Sequence, residues 1–413
     1  MLSRLAFLKT LAAITPILGG AGLCLSSPLW ERLFAGGDAG LLFALDPKSD
    51  LVRLAPRARF WTSVPQAGAD CRPCHASLEI LKGKPVRHEA GMVKCLLCAQ
   101  GCVLRPGERG RCRARMNVGG ELRSLVYGRP ITVHIDPIEK KPFYHFLPGT
   151  RSFSIATAGC NFRCGFCQNW QISQISKAAS PAGRGQPAEP AELVRAAQES
   201  GCRSISYTYT EPTIFFEYAR DTAVLARAAG LANTFVTNGF MTAEALEAAR
   251  PWLDAANVDL KSFREETYKK TCGGRLEPVL ETIRGMRKAG IWVEVTTLVV
   301  PGLNEGEDEL RGIAAFLASV DVDIPWHISR FHPDYKYTDA SPTPQAALDR
   351  AVRLGKESGL RYVYVGNIDD PNTATLCPGC RREVIGRRGF TVTFDRTRDG
   401  GCPDCGARIA GKF

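Results

Sequence analysis

Short apolar runs alternate with segments of helical periodicity through the second half of the chain. The runs predict buried strands at 153–157, 204–209, 234–237, 257–260, 292–300, 326–331 and 362–365. One helical face between them consists of Leu276, Val279, Leu280, Ile283 and Met286, with a stop at Gly290. This alternation predicts an α/β fold with a parallel sheet and helices outside it. Six or seven units are too few for a closed barrel, so we expect an open, partial (β/α)6-type barrel.

Two further helices have starting signals in the sequence. Asn304 and Glu307 have the spacing of a capping box ahead of an apolar helical face. Thr343 followed by Pro344 predicts an N-cap and a proline in the first turn of the last helix.

Three cysteines follow the first predicted strand in a C-x3-C-x2-C spacing, Cys160, Cys164 and Cys167. A [4Fe–4S] cluster normally takes four thiolates, so three would leave one iron open to a substrate or cofactor. The alternatives are a zinc knuckle that lacks a ligand and a redox pair with a spare cysteine. Zinc would need a fourth ligand nearby, and residues 170–200 contain neither cysteine nor histidine.

The cysteine loop resembles the cluster-binding motif of radical S-adenosylmethionine (SAM) enzymes, including an aromatic residue, Phe166, before the third cysteine. Together with the run 136–149 and the cysteines upstream of it, the chain from about residue 95 resembles the radical SAM enzyme of the AmmeMemoRadiSam system. That enzyme is related to the pyruvate formate-lyase activating enzymes. The resemblance implies a [4Fe–4S] cluster, SAM and a partial TIM barrel of the radical SAM class.

The same resemblance implies a reaction and partners. SAM would be cleaved reductively to a 5′-deoxyadenosyl radical, which abstracts hydrogen from a protein, as in glycyl radical activation, or from a small molecule. A flavodoxin-like or ferredoxin-like reductant is implied, together with Memo-like and Ammecr-like companions. The opposing hypothesis is a non-catalytic electron-transfer protein with several iron–sulfur or haem centres.

Polar residues close the predicted strands, where a barrel directs side chains at its ligand. The run 208–212 lies where radical SAM enzymes carry Gly-Gly-Glu-Pro, and Glu211 matches the glutamate that receives the SAM ammonium. The resemblance gives the other cofactor positions as Asn238, Asp259, Lys261, Gly366 and Asn367. His327 and His332 flank another strand, and packing or substrate hydrogen handling remain alternatives for them.

The sixteen cysteines fall mostly into groups typical of metal sites. The tail carries two C-x2-C knuckles that predict a structural zinc ribbon, with ligands Cys377, Cys380, Cys402 and Cys405. An N-terminal set is a candidate second metal site, with zinc and iron–sulfur both open; it comprises Cys95, Cys98, Cys102 and Cys112. We interpret the isolated Cys24, Cys202 and Cys272 as small buried side chains.

The N-terminal segment raises the question of location. Residues 1–30 resemble a signal or membrane anchor, with Leu5 in place of the second arginine of a twin-arginine motif. The Cys71-Arg72-Pro73-Cys74-His75 run matches a c-type haem attachment motif, but with Cys95 and Cys98 it would also form a zinc ribbon, and we expect it to bind zinc or no cofactor. SAM chemistry belongs to the cytoplasm, so we expect a cytoplasm-facing enzyme without haem c, tethering to the membrane being left open.

These assignments divide the chain into a signal or anchor-like segment (1–30), a linker with the C-x-x-C-H motif (31–90), a cysteine-rich module (91–135), the radical SAM core (136–370) and a ribbon-like tail (371–413). The net charge of +11 is spread along the chain without a basic run interleaved with aromatics. Nucleic acid is therefore not an expected partner, and an acidic protein is.

Overall fold

A computed structural model describes residues 50–63, 90–175, 184–368 and 370–413. All of them lie in one compact unit, Gly36–Phe413. The signal or anchor-like segment, Cys24 and the Cys71–His75 motif lie outside the described residues. Among the helices that are described, none is both long enough and apolar enough to cross a membrane.

The N-terminal part of the described chain is a small β-rich module. It opens with helix α1 (Asp50–Arg53) and contains an antiparallel sheet of β1 (Trp61–Ser63), β2 (Val93–Cys95) and β3 (Val103–Leu104). A hairpin follows, formed by β4 (Arg115–Val118) and β5 (Glu121–Ser124). The four N-terminal cysteines all lie in or between these short strands. Val52, Ala55, Met116 and Leu125 form a small apolar cluster within it.

The central element is a mostly parallel sheet of eight strands in sequential order. Its strands are β6 (Thr132–Pro137), β7 (Arg151–Ala156), β8 (Ser204–Tyr207), β9 (Ala232–Thr237), β10 (Ala255–Asp259), β11 (Trp292–Val299), β12 (Trp326–Arg330) and β13 (Val363–Gly366). β7 to β13 are parallel, whereas β6 pairs antiparallel with β7 at the edge. The seven parallel strands are the seven that the apolar runs predict, and the edge strand β6 was not predicted.

Helices connect the parallel strands. They are α2 (Trp170–Ser173), α3 (Pro190–Glu199), α4 (Phe216–Ala228), α5 (Ala243–Ala249), α6 (Glu265–Thr267), α7 (Glu277–Lys288), α8 (Glu307–Val320) and α9 (Gln345–Glu357). Short 3-10 turns occur at Ile138–Lys140 and Pro212–Phe215, and a π-helical turn at Tyr268–Cys272. The predicted face of α7 is confirmed, because Val279, Leu280, Ile283 and Met286 are buried.

Both predicted helix caps are wrong, for the same physical reason. The N-cap of α8 is Gly306, because the Asn304 side chain binds the Lys261 and Leu298 carbonyls and the Val300 amide instead. The N-cap of α9 is Pro344, because the Thr343 hydroxyl donates to the Val299 carbonyl and accepts from the Phe331 amide. In both cases the polar side chain ties a strand end in place rather than a helix start.

One face of the sheet is unusually polar. Residues that are paired across parallel strands share a face, so the pairs Asn257–Glu294, Thr296–His327 and His327–Tyr364 place these side chains together. The segment after Ile138–Lys140 covers part of this face: the Pro142 carbonyl accepts from Asn257, and Glu294 accepts from the Tyr144 and His145 amides. Polar side chains therefore extend along this face of the sheet and are not confined to the strand ends.

The tail packs on the opposite edge of the sheet from β6. It contains β14 (Thr375–Leu376), β15 (Glu383–Arg388) and β16 (Thr391–Asp395). An apolar cluster joins Tyr362 and Tyr364 to Val384, Ile385 and Ile409 of the tail. Arg387 donates to the Tyr144 carbonyl and lies over the Tyr144 ring. The domain boundaries given above remain a prediction.

Candidate functional site

The cysteine loop connects β7 to α2 at the carboxyl end of the sheet. Gly159, directly before Cys160, has φ +108°, and a Cβ there would lie 2.5 Å from the Cys112 carbonyl oxygen. Only glycine fits this position, on both counts. The loop is further held by the Arg163 amide, which donates to the Cys272 carbonyl, and by the Gly159 amide, which donates to the Ile172 carbonyl. The backbone that carries the three cysteines is therefore firmly placed.

The three thiols have polar neighbours rather than a purely apolar pocket. The Cys160 sulfur accepts from the Phe162 amide, and the Cys167 sulfur lies 3.2 Å from the Ser173 hydroxyl. The Cys164 thiol lies beside the thiol of Cys272, and this neighbour together with burial raises the pKa of Cys164. Cys272 is fully buried, as expected, but its contact with Cys164 was missed. Because the two residues are more than a hundred positions apart in the chain, no local spacing indicates the contact.

A single cavity of about 330 Å³ brings the predicted site residues together. This volume lies in the range of small-ligand pockets. The predicted residues that line it are Cys160, Cys164, Phe166, Cys167, Glu211, Asn238, Asp259, Lys261, Gly366 and Asn367. The three thiols and the polar strand ends therefore face one space, which is the arrangement that the sequence predicts.

Glu211 is a buried hydrogen-bond centre at the end of β8. Its Oε1 accepts from the Thr213 amide and hydroxyl and from the Thr237 hydroxyl, and its Oε2 accepts from the Asn238 amide. Burial raises its pKa, and these bonds oppose the shift. A carboxylate offers about four acceptor positions, two on each oxygen. Oε2 therefore retains capacity for one more donor.

Asn238 binds the cysteine loop directly. Its Nδ2 donates to Asn161 Oδ1 at 2.7 Å and lies 3.9 Å from the Cys160 sulfur, while its Oδ1 accepts from the Phe240 amide. Lys261 forms an ion pair with Asp259 at 2.9 Å. Although burial opposes it, the charges of Asp259 and Cys164 raise the pKa of Lys261 well above its ordinary value. A fixed cation therefore lies beside the cluster cysteines.

Phe166, Gly366 and Asn367 also line the cavity, whereas His332 does not. Phe166 is buried and packs edge-on against the ring of Tyr337. Asn367 has φ +56° and exchanges two hydrogen bonds with the Arg330 backbone, which fixes the strand end that Gly366 closes. His332 is exposed.

The other wall of the cavity contains residues that were not predicted. Asp136 pairs with Lys140 and Lys141 and accepts from the Tyr209 hydroxyl. Burial lowers the pKa of Lys141 to about 8, although Asp136 opposes the shift. Tyr209 has φ +62°, and with Thr210 it stands where the resembling motif carries glycines. Tyr209 therefore takes the place of a glycine of that motif, and it contacts Asp136 through its hydroxyl and Lys141 through its ring.

His327 lies on the same wall and is paired with a buried acid. Its Nε2 is 2.6 Å from Glu294 Oε2, and its Nδ1 makes no hydrogen bond within the described residues. Phe390, from the turn between β15 and β16, also lines the cavity. No local sequence signal indicates that the tail reaches this space, because the contact depends on how the ribbon packs.

The tail cysteines converge as a ribbon requires. The ligand atoms of Cys377, Cys380, Cys402 and Cys405 all lie within 4.8 Å of one another. The Cys377 and Cys405 sulfurs are 3.5 Å apart, and the Cys377 sulfur also accepts from the Gly379 and Cys380 amides. Four such sulfurs suit a tetrahedral metal ion. A cysteine cluster for metal binding is therefore present in the tail.

Comparison with known proteins agrees with this site. The model of the Radical SAM superfamily matches residues 154–317. An uncharacterized protein of Methanocaldococcus jannaschii is 44% identical over 322 residues, which cover 77% of this chain and 95% of the relative. A probable GTP 3',8-cyclase of Aeropyrum pernix is 32% identical over 252 residues, 55% of this chain and 68% of the relative. An isethionate sulfite-lyase activating enzyme of Nitratidesulfovibrio vulgaris is 30% identical over 96 residues, 22% and 31% of the two chains.

The sheet is mostly parallel, and its three loop cysteines and polar strand ends face one cavity. This arrangement is typical of an enzyme that uses an iron–sulfur cluster. The chain belongs to the radical SAM superfamily. The family implies a [4Fe–4S] cluster and SAM, and the residues present fit both. Three thiols on one loop suit the cluster, and the cavity beside them carries an acid with a spare acceptor position and a buried ion pair.

Proposed function

We propose that this enzyme uses SAM to abstract a hydrogen atom from a protein, in the manner of an activating enzyme, or from a small molecule. The supporting observation is the single cavity that joins the three loop thiols to Glu211 and the Asp259–Lys261 pair. An electron carrier would enclose its cluster with four ligands and would need no such cavity. The match to an activating enzyme is compatible with a protein substrate, and the longer match to a probable GTP 3',8-cyclase is compatible with a small molecule.

Each part of the cavity has a distinct role in this proposal. Cys160, Cys164 and Cys167 would hold the cluster, which, given one electron from a reductant, would supply the reductive cleavage of SAM to methionine and a 5′-deoxyadenosyl radical. Glu211 Oε2 would accept one hydrogen bond from the SAM ammonium. Lys261, neutralised in part by Asp259, would offset thiolate charge. Gly366 and Asn367 would border the adenine.

Asn238 has a more specific role than the sequence indicated. Its amide is already committed to Asn161 and Cys160. We therefore propose that the Asn238 side chain orients the cysteine loop. The backbone around Asn238, at the end of β9, would contact SAM. The sheet, in this proposal, curves as a partial barrel so that the strand ends surround the cofactor.

The wall of the cavity that contains Lys141, Tyr144, His327 and Phe390 would receive the substrate. His327 in this wall is paired with the buried Glu294. A radical must meet its target before solvent, and a buried wall of this kind excludes water. Zinc in the tail ribbon would keep Phe390 in this wall. Memo-like and Ammecr-like proteins and a flavodoxin-like or ferredoxin-like reductant remain the proposed partners.

The decisive experiment is anaerobic reconstitution with iron and sulfide, followed by incubation with SAM and a reductant. We expect 5′-deoxyadenosine and methionine in equal amounts. Replacing Cys160, Cys164 and Cys167 by Ala should abolish both products. Cys202→Ala is the matched control, because Cys202 is buried, does not line the cavity and is hydrogen-bonded to the Ser200 hydroxyl. Undiminished 5′-deoxyadenosine in the triple variant would refute the proposal.

A further inference from the structure

The four N-terminal cysteines lie together, although they are spread over positions 95 to 112 of the chain. A Cβ on Gly110 would lie 3.7 Å from the Cys112 sulfur and 3.8 Å from the Cys102 sulfur, so these two thiols flank one glycine. The Cys95 amide donates to the Cys102 carbonyl at 2.8 Å, and this bond holds the backbone at Cys95 against the backbone at Cys102. Cys98 lies within electrostatic reach of the other three thiols. The chain has thus folded its four cysteines into one small volume.

Backbone amides lie close to these thiols. The Arg111 amide lies 3.5 Å from the Cys102 sulfur. The amides of Leu97 and Gln100 lie near Cys95 and Cys98, and those of Ala114 and Arg115 lie near Cys112, although burial raises the pKa of all four thiols. The tail ribbon shows the same pattern, with the Gly379 amide donating to the Cys377 sulfur. Amide donors aimed at sulfur stabilise thiolates, the form that binds metal.

A buried arginine adds an independent observation. Arg115 is 1% exposed and forms an ion pair with Glu217, but its Nε and Nη1 make no hydrogen bond within the described residues. The guanidinium lies near Cys95 and Cys112. Leaving two guanidinium donors buried without acceptors is costly. Metal-bound thiolates, which carry net negative charge, would supply the acceptors that these donors lack.

The module is packed directly on the cluster loop. Gln100 Nε2 donates to the Asn161 and Gly273 carbonyls, both at 2.9 Å. Arg163 donates to the Arg111 carbonyl, and the Cys112 carbonyl is the atom that leaves room only for glycine at position 159. Each contact on the module side lies within two residues of one of the four cysteines. The placement of the cluster loop therefore depends on the shape of this cysteine set.

We propose that Cys95, Cys98, Cys102 and Cys112 bind a second, thiolate-ligated metal centre that holds the N-terminal module against the loop of Cys160, Cys164 and Cys167. Either a zinc ion or an iron–sulfur cluster has the required chemistry. Two thiolates on one zinc lie about 3.8 Å apart, given Zn–S bonds of about 2.3 Å. Among the described residues only the tail set has three or more ligand atoms within 4.8 Å. The wider N-terminal spacing favours an iron–sulfur cluster.

The test uses the full chain with Cys160, Cys164 and Cys167 replaced by Ala, so that no iron is held at the first site. After anaerobic reconstitution, iron, sulfide and zinc per chain are measured. We expect iron and sulfide to remain, and to disappear when Cys102→Ser and Cys112→Ser are added. Two controls should leave them unchanged: Cys202→Ser, and the pair Cys71→Ser with Cys74→Ser.

Each result has a defined meaning. Zinc beyond the about one equivalent expected for the ribbon, lost with Cys102 and Cys112, supports the centre and identifies its metal as zinc. Metal lost with Cys71 and Cys74 but kept without Cys102 and Cys112 overturns the ligand set. If the added substitutions prevent folding, the parent variant decides: no metal beyond the ribbon's share refutes the centre.

The coupling to the cluster loop has its own readout. In the chain with Cys160, Cys164 and Cys167 intact, Cys112→Ser should accelerate amide hydrogen exchange of residues 159–167 by about tenfold or more, as a locally opened loop does. Cys202→Ser should leave this exchange unchanged. Unchanged exchange in a Cys112→Ser protein that has lost the second metal would refute the coupling while leaving the proposed SAM chemistry untouched.

Discussion

At the scale of single residues, Glu211 shows how one side chain serves both the fold and the cofactor. Glu211→Gln keeps the size but places an amide group where the Asn238 amide or the Thr237 hydroxyl now donates. If Oε2 also accepts from the SAM ammonium, the loss is that of a hydrogen bond between charged groups, about 1.5–3 kcal/mol. We expect SAM affinity to fall roughly tenfold to a hundredfold, measured by equilibrium binding.

The control for this substitution is Thr237→Val, which removes one neutral donor to Oε1 and leaves the carboxylate charged. It should weaken SAM binding much less. Iron content should stay the same in both variants, because Glu211 is not a cluster ligand. Equal SAM affinity in Glu211→Gln and the unmodified enzyme would show that the carboxylate serves only to cap the strand end.

Tyr209, by contrast, adopts an unfavourable backbone conformation at the cavity wall. A positive φ costs a non-glycine residue on the order of 1–2 kcal/mol. The Tyr209 hydroxyl binds Asp136, and Lys141 lies 4.0 Å from the centre of the ring. Tyr209→Phe keeps the ring and removes the bond to a charged acceptor. We expect the free energy of unfolding to fall by about 1.5–3 kcal/mol in denaturant titrations.

Tyr337→Phe is the comparison for Tyr209→Phe, because the Tyr337 hydroxyl makes no hydrogen bond within the described residues while its ring packs on Phe166. Its stability should change by less than about 0.5 kcal/mol. A similar small loss for Tyr209→Phe would mean that the ring alone, and not the hydroxyl, holds the strained backbone.

At the scale of elements, the strands and the cysteine loop could be predicted because their signals are local. Apolar runs fix where β7 to β13 lie, and the spacing of Cys160, Cys164 and Cys167 falls within one loop. The contacts of Gln100 with Asn161 and of Cys272 with Cys164 could not, because they join residues far apart in the chain. The same applies to Asn304 and Thr343, whose side chains bind the ends of preceding strands rather than the first turn of the helix that follows.

The tail is the element whose stability should depend most on a bound metal. Its packing rests on an apolar cluster around Tyr364, Val384 and Ile385 and on the buried Arg387, which binds the Tyr144 carbonyl, while its four cysteines leave a metal position between them. Structural zinc supplies folding free energy outright in such ribbons. We therefore expect a chelator, or Cys377→Ser with Cys402→Ser, to make residues 377–413 sensitive to protease while the sheet β7–β13 stays resistant.

Limited proteolysis followed by mass spectrometry of the fragments measures this directly, and Cys202→Ser again serves as the control. The variant Cys377→Ser with Cys402→Ser, which leaves the cluster cysteines intact, should reduce hydrogen transfer to substrate more than it reduces SAM cleavage, because Phe390 lines and Arg387 supports only the proposed substrate wall. A tail that stays resistant after complete metal removal would show that packing against Tyr144 and Tyr364 is sufficient.

At the scale of the whole molecule, the net charge of +11 bears on how electrons arrive. Oppositely charged proteins attract over the Debye length, about 10 Å at 0.1 M salt, and such attraction raises association rates tenfold or more. If an acidic flavodoxin-like protein is the reductant, the rate of 5′-deoxyadenosine formation at limiting reductant should fall by about tenfold between low and high salt. Photoreduced deazaflavin, a small donor, should show little dependence. Equal salt dependence for both donors would mean that the basic surface does not recruit the reductant, and a reductant of low charge would then be sought.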